Sequence, residues 1–362
     1  MKRVIYVLAN LDEDGGQTVA CTLLSNLDKN KYQAELLVMS PYVENKLTEK
    51  LRQASIEVKF CEIAELIHMN RCYRFLCMIK WLRKEIDAFS SDIIHVHLDI
   101  LYSWIVALVY KKKIIFTIHS EAKRIHNFTS AYLFKKLQKK NLILVTGVSK
   151  ISAEQFKNCF GAKDIKVIYN PVEVSHFKKE NNDKKENEVV FINVARFHPI
   201  KNHELLINAW KVLLEERKNI KLILVGDGEE YEKIKKMVDL MNLSSTIEFY
   251  GKVNDVAPLL GKADVFVLSS SSEAFPVSVI EAIASGLPIV STNVGGVSEL
   301  VGDNGILVEP GNMQQLVSAM KELIDNDSER IRMGRLSQKY SEQFDVHKII
   351  AQYEEIYNRN IG

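Results

Sequence analysis

Along the first 170 residues, short apolar β-branched runs recur between segments of helical periodicity. The runs are RVIYVLAN, QAELLVMS, IEVKF, IIHVH, KIIFTIH, ILVTGVS and KVIYN. Near-continuous hydrophobicity is what a strand covered on both faces needs, so the pattern predicts a parallel sheet sandwiched by helices. The first run leads into DEDGGQTVACTLLSNL, a glycine turn and then a helix, which opens a βαβ unit. KKENNDKKENE, Lys178 to Glu188, contains no apolar residue and reads as a solvated linker or loop. The alternation then restarts: EVVFINVAR, the helix NHELLINAWKVLLEE, IKLILVGDG, the helix EEYEKIKKMVDLM, IEFYG, the helix DVAPLLGKA, VFVLSS, a helix around VSVIEAIASG, PIVSTN and GILVEP. Two helices, MQQLVSAMKELIDN and DVHKIIAQYEEIYNRN, close the chain. The predicted class is α/β, two Rossmann-like domains facing a central cleft: residues 1–170, and residues 171–345, with the helix of about 346–362 returning to the first. Ligands of such open sheets sit beyond the carboxyl ends of the strands, so chemistry is sought in the loops there.

A chain of 362 residues exceeds what one core usually sustains, and 47% hydrophobic with 26% charged residues is an ordinary globular composition. The opening apolar run ends within about eight residues, too short for a signal peptide or a spanning helix, so a cytoplasmic location is expected. Five cysteines, all in the first half and without a Cys-x-x-Cys pair, fit reduced thiols better than disulfides or a zinc site. The net charge of +2 conceals an asymmetry: residues 1–170 hold 26 Lys/Arg against 17 Asp/Glu, while residues 171–362 hold 22 against 29. A basic first half implies an anionic partner: a membrane surface, a phosphate-bearing substrate or nucleic acid.

Within SSSSEAFPVSVIEAIASG, Ser269 to Gly286, two glutamates flank a Phe-Pro break. Pro276 suits a helix start, which puts the helix N-terminus at about Phe275 to Val277, Glu273 in the preceding loop and Glu281 inside the helix. The helical neighbours of Glu281 are mostly apolar, so its carboxylate needs hydroxyl donors such as a ribose diol, or else protein partners. Backbone N–H groups around Ala274, Phe275 and Val277 form a helix N-terminus suited to phosphate. In NVARFHPIKNH, Arg196 follows a strand and Lys201 comes five residues later, across a proline turn. Two cations converging there suit a diphosphate, although surface cations on a loop remain an alternative.

Arg196 and Lys201, LVGDGEE, FYGKV, the Glu273-x7-Glu281 motif with ASGLPIV and GG, and GILVEPGN together resemble the retaining GT-B glycosyltransferases of glycosyltransferase family 4. The first domain is similar through GG after its first strand, DIIHVH, TIHS and GVSK. The resemblance implies that Glu281 holds the donor ribose, Glu273 contacts the donor sugar, and Arg196 with Lys201 binds the pyrophosphate. It further implies that backbone near Lys252 and Val253 holds the base, that Gly15 and Gly16 approach the diphosphate, and that His119 is the active-site histidine. Ala274 and Ala195 stand where the family more often has glycine, and FPVS replaces the commoner FG.

The activity so implied is retaining transfer of a sugar from a nucleotide sugar, UDP-linked by family frequency, to a saccharide hydroxyl in capsule or exopolysaccharide assembly. No Asp-x-Asp motif supports a metal, and no cofactor beyond the donor substrate is expected. RCYRFLCMIKWLRK, Arg71 to Lys84, is basic and amphipathic enough to lie on an anionic membrane, which fits a lipid-diphosphate-linked acceptor and a peripheral place on the inner face of the cell membrane. Packing of that helix with snorkelling cations is the alternative. His95 and His97 alternate on one strand face without a third metal ligand. Other classes fit less well: the glycines of VGDGEE do not complete a dinucleotide fingerprint, and dispersed charge without a recognition motif argues against nucleic acid. A non-hydrolysing nucleotide-sugar epimerase of the same fold, or a non-catalytic nucleotide-sugar binder, remains as the alternative.

Overall fold

Strand and helix alternate through two successive parallel sheets in the computed structural model, which describes residues 1–65, 70–97, 101–119, 122, 126–177 and 188–359. The chain divides into two compact units, 1–171 with 346–362, and 172–345. The linker expected at Lys178 to Glu188 lies, apart from Glu188, outside the described residues.

The first unit contains β1 (Lys2–Leu8), α1 (Gly15–Ser25), β2 (Tyr32–Val38), α2 (Lys46–Gln53), β3 (Glu57–Phe60), α3 (Arg71–Phe89), β4 (Ile93–His97), α4 (Leu101–Tyr110), β5 (Ile114–Ile118), α5 (Phe128–Lys139), β6 (Ile143–Gly147), α6 (Lys150–Phe160) and β7 (Ile165–Val167). Its strands lie in the order β3-β2-β1-β4-β5-β6-β7, all parallel. β1, β4 and β5 are fully buried along nearly their whole length, the reason their sequences read as unbroken apolar runs. Tyr6 and His95 are register partners across β1 and β4, and His97 and Thr117 across β4 and β5, so the polar residues of these strands are brought side by side.

The second unit contains β8 (Val189–Val194), α7 (His203–Glu216), β9 (Ile220–Val225), α8 (Tyr231–Leu240), β10 (Ile247–Gly251), α9 (Ala257–Lys262), β11 (Val265–Leu268), α10 (Val277–Ala284), β12 (Ile289–Thr292), β13 (Gly305–Val308), α11 (Met313–Asp325) and α12 (Asp327–Ser341). The sheet order is β10-β9-β8-β11-β12-β13, again parallel. β8 runs to β9 and then β10 on one side, and the chain returns to the other side with β11. The crevice between the ends of β8 and β11 is therefore the topological switch point of this unit.

The last helix, α13 (Val346–Arg359), belongs to the first unit. It buries Ile349, Ile350, Tyr353, Ile356 and Tyr357 there, and Lys2, Lys31 and Lys166 reach Asn358, Glu354 and Glu355 along its flank. The apolar face supplies most of the adhesion, since exposed ion pairs contribute little. α12 carries no clear apolar stripe in DSERIRMGRLSQKYS and went unpredicted; it packs through Met333, Gly334, Ser337 and Ser341. The five cysteines are free thiols.

Candidate active site

Two loops meet at the switch point of the second unit. The first, Ala195 to Asn202, leaves β8 and is pinned by Phe197. That ring is fully buried, lies flat on His203 at 4.1 Å between centroids, and meets Tyr231 edge-on at 5.0 Å. Burial, with the charge of Lys201 adding to it, pushes the His203 pKa down to about 4, so this imidazole packs as a neutral ring. Pro199 opens one 3-10 turn through Lys201, and Asn202 closes it at φ 50°, a conformation asparagine tolerates well. Arg196 is exposed at the head of the loop and Lys201 stands half-buried at its tail.

The glycines of VGDGEE have a local purpose here. A Cβ on Gly226 would lie 2.0 Å from the Ala195 carbonyl oxygen, and one on Gly228 2.5 Å from that of Phe197. Only glycine lets the loop after β9 close against the loop that bears Arg196.

The second loop, Ser269 to Pro276, leaves β11. The Ser269 hydroxyl donates to the carbonyls of Lys201 and Asn202, both at 3.0 Å, and the Ser271 N–H to that of Ile200 at 2.7 Å. Thr292 at the end of β12 donates to the Ser270 carbonyl at 2.6 Å. Gly295, at φ 50°, lies so close beneath that a Cβ would fall 1.6 Å from the Glu273 carbonyl oxygen. The serine run is thus a set of ties holding one loop to the other.

Those ties bring Lys201 and Glu273 together. Lys201 Nζ donates to Glu273 Oε1 at 2.6 Å, and the Ser270 hydroxyl donates to the same oxygen at 2.7 Å. The Glu273 side chain is 8% exposed and that of Lys201 22%. A carboxylate held by two donors is an oriented hydrogen-bond acceptor, and Lys201 has further N–H groups to offer a ligand.

α10 begins at Val277, with Pro276 in the N-cap position and no side chain capping it. Ala274 and Phe275 precede it, Phe275 buried and packed edge-on towards Phe344 at 6.1 Å. Glu281 lies half-buried in the middle of the helix, between the buried Ile280 and Ala282. Lys252 and Val253 follow the edge strand β10, two strands from β8 on the same, carboxyl, side of the sheet. Arg196, Lys201, Lys252, Val253, Glu273 and Glu281 therefore share one end of the second unit, whereas Gly15, Gly16 and His119 belong to the first. Gly15 and Gly16 open α1 beyond the end of β1. His119 follows β5, with Nε2 2.8 Å from His97 Nδ1, and burial pushes its pKa down to about 3. The sequence did not single out Ser269, Ser270 or His203, although four hydroxyls in succession at a strand end marked the serines; Gly295 was noticed only as part of the GG that follows the two-glutamate motif.

Residues 14–176 match the family described as Glycosyltransferase Family 4, and residues 174–340 that described as Glycosyl transferases group 1. An uncharacterized glycosyltransferase of Methanocaldococcus jannaschii is 31% identical over 75% of this chain and 76% of its own length. The chain belongs to the family 4 glycosyltransferases. The N-acetyl-alpha-D-glucosaminyl L-malate synthase of Bacillus anthracis is 33% identical over 54% of this chain; the chain spans about half of that relative, 54% of its length. Among solved structures, Anabaena Alr3699/HepE in complex with UDP-glucose superposes with a TM-score of 0.83 at 20% identity, covering 99% of this chain and 100% of that one. That likeness establishes the two-domain GT-B fold. The loops at the switch point fall inside the group 1 match, and Gly15, Gly16 and His119 inside the family 4 match. Among the described residues, no group of three or more His, Cys, Asp or Glu forms a metal cluster, and no helix is long and apolar enough to cross a membrane.

Proposed function

We propose that the protein is a retaining glycosyltransferase that moves a sugar from a nucleotide sugar, UDP-linked, to a saccharide hydroxyl. The observation that carries this reading is the junction of the two switch-point loops, where Lys201 and Glu273 are in contact and Arg196 heads the same loop as Lys201. Cations there suit a leaving diphosphate, and an oriented carboxylate beside them suits sugar hydroxyls. In the step proposed, the bond from the anomeric carbon to the diphosphate oxygen breaks. The acceptor oxygen bonds to that carbon on the same face, and the acceptor proton leaves with the diphosphate. Arg196 and Lys201 stabilise the developing negative charge, the start of α10 adds its dipole, and Glu281 takes the ribose hydroxyls. Backbone at Lys252 and Val253 takes the base. His119, with Gly15 and Gly16, is the first unit's contribution.

For the acceptor we favour a lipid-diphosphate-linked saccharide in surface-polysaccharide assembly, met at an anionic membrane. What supports this is the outer face of the first unit. α3 uses Met78, Leu82 and Ile86 on the core but leaves Tyr73 and Leu76 exposed beside Arg71, Lys80 and Lys84. α5, across α4 from it, exposes Phe128 and Tyr132 with Lys135, Lys136 and Lys139. Much of the amphipathicity of α3 is thus used in packing, and the exposed remainder is small and basic.

The test is nucleotide release from a panel of nucleotide sugars, with and without lipid-linked and soluble acceptors and with and without chelator. Arg196→Ala and Lys201→Ala are each expected to lower turnover by about 100-fold, and Glu281→Ala to weaken donor binding. Unchanged turnover in both cation variants would make the diphosphate assignment wrong. Flotation with liposomes containing anionic lipid checks the membrane part, which fails if no salt-sensitive binding occurs.

A further inference from the structure

Three imidazoles stand in a row, His95 in the middle of β4, His97 at its end and His119 just beyond β5. The rings of His95 and His97 are 4.1 Å apart, and those of His97 and His119 5.1 Å apart and nearly parallel. The inner end of the row is fixed on both sides. His95 Nδ1 lies 2.7 Å from the Tyr357 hydroxyl and its Nε2 2.7 Å from that of Thr117, while Tyr357 in turn meets Tyr6 at 2.7 Å. The outer end is not. Between His97 Nδ1 and His119 Nε2 there is one contact of 2.8 Å, and the two nitrogens left over, His97 Nε2 and His119 Nδ1, are buried without a hydrogen-bond partner among the described residues. Burial keeps all three rings neutral.

Two neutral imidazoles that meet nitrogen to nitrogen share one hydrogen, so the tautomer of one dictates the tautomer of the other. If His119 were the donor, the hydrogen of His97 would sit on Nε2. That atom belongs to a fully buried ring stacked on Tyr6 at 4.9 Å and beside His95, where no ligand reaches. Buried N–H groups without an acceptor are among the rarest defects in folded proteins. If His97 is the donor, the unmatched N–H is instead Nδ1 of His119; that atom is shielded too, but it belongs to the last ring of the row and to a residue only half-buried, so a small turn of the ring brings it to a ligand, which the fully enclosed His97 cannot do.

We propose that His97 is a positioning residue: its Nδ1–H donates to His119 Nε2, which fixes the hydrogen of His119 on Nδ1 and presents a single N–H donor for a ligand oxygen. That the oxygen belongs to a donor sugar or its diphosphate rests on the function proposed above; the tautomer itself does not. Loss of the His97 donor lets His119 exchange tautomers and place a lone pair where the N–H belongs.

Long-range 1H–15N correlation on the full chain labelled with 15N-histidine, near pH 7 and without ligand, reads the tautomer directly once His119 is assigned by its own substitution. The expected result is a protonated Nδ1 and an accepting Nε2 on His119; a protonated Nε2 overturns the proposal. His97→Leu is expected to mix the His119 tautomers and to lower kcat roughly 10- to 100-fold, with the donor KM little changed. An unaltered His119 tautomer in that variant also overturns it. His97→Asn, whose amide can donate from the same place, is expected to recover most of the turnover, and a deficit as deep as that of His97→Leu counts against the proposal. If His97→Leu does not fold, the wild-type spectrum and His97→Asn still decide. Wild-type protein with the expected tautomer but no nucleotide-sugar turnover would remove the glycosyl-transfer reading and leave the positioning of His119 standing.

Discussion

The two units are built on the same parallel-sheet plan, yet they handle polarity in opposite ways. The second unit gathers formal charge on loops beyond its sheet, with Lys201 on Glu273, Arg196 exposed nearby and Glu281 half-buried in α10. The first unit buries a neutral network inside, in which His95, His97, Thr117, Thr146 and Tyr6 on four strands meet Tyr353 and Tyr357 from the final helix. Ionised groups lose too much on full burial, so a charged site stays part-open, where water or a ligand can share the stabilisation. Neutral rings can be buried completely at lower cost, and among the described residues all but the outer nitrogens of His97 and His119 find partners in this network. One unit leaves its charges part-open at a loop junction; the other holds neutral rings within its sheet.

Acid should separate them most. The folded state holds His95, His97 and His119 neutral, with the His119 pKa pushed down to about 3 by burial, whereas an unfolded chain protonates histidine near pH 6.5. The unfolded state then binds more protons below that pH, so stability is fully present above about pH 6.5 and is lost as pH falls towards the folded values. Each such histidine contributes about 1.4 kcal/mol per pH unit in that window. The first unit has these three and the second His203, whose pKa is about 4. Hydrogen exchange between pH 7.5 and 5 should show protection falling more steeply in β1, β4 and β5 than in β8, β9 and β11; equal slopes would break the comparison.

The next largest effect is expected at Gly295. A methyl group there would collide with the Glu273 carbonyl oxygen, so Gly295→Ala must displace the loop that orients Glu273. A loss of about 3 kcal/mol in urea denaturation, with weakened donor binding, is the expected outcome. Unchanged donor affinity would mean that the serine ties, and not this close approach, fix the loop. Tyr357→Phe tests the first unit in the same spirit. It leaves His95 Nδ1 and the Tyr6 hydroxyl without their shared partner and should destabilise by about 2 kcal/mol. The exchange protection of the second unit should stay as it was.

The central strands, such as β1, β4, β5, β11 and β12, were legible because a strand covered on both faces leaves an unbroken apolar run, whatever it packs against. α12 was not, because a helix buried through Met333, Gly334 and two serines leaves no stripe to read. In the candidate site, Glu273, Glu281, Arg196 and Lys201 were noticeable as charges in apolar or turn-forming surroundings. Ser270 was not, since a hydroxyl at a strand end looks like any loop residue until its acceptor is known. Gly226 and Gly228 were visible as an incomplete nucleotide fingerprint and as part of the family-like LVGDGEE, with no structural task attached. Their actual task, letting one loop close on another, depends on a segment some thirty residues away, as the contacts with Ala195 and Phe197 show.

The sequence by itself determined the order of the strands and of the helices with an apolar stripe, the loops that carry charge and the opposite charge of the two halves, because these follow from local periodicity and residue type. Only the tertiary structure decided which residues meet. Lys201 and Glu273 are 72 positions apart and touch because β8 and β11 are neighbours in the sheet. His95 and Tyr357 are 262 apart and touch because the last helix packs into the unit that the first strand began. Pairings over such distances are set by strand order and by which apolar faces must be covered, and neither leaves a mark in the residues nearby.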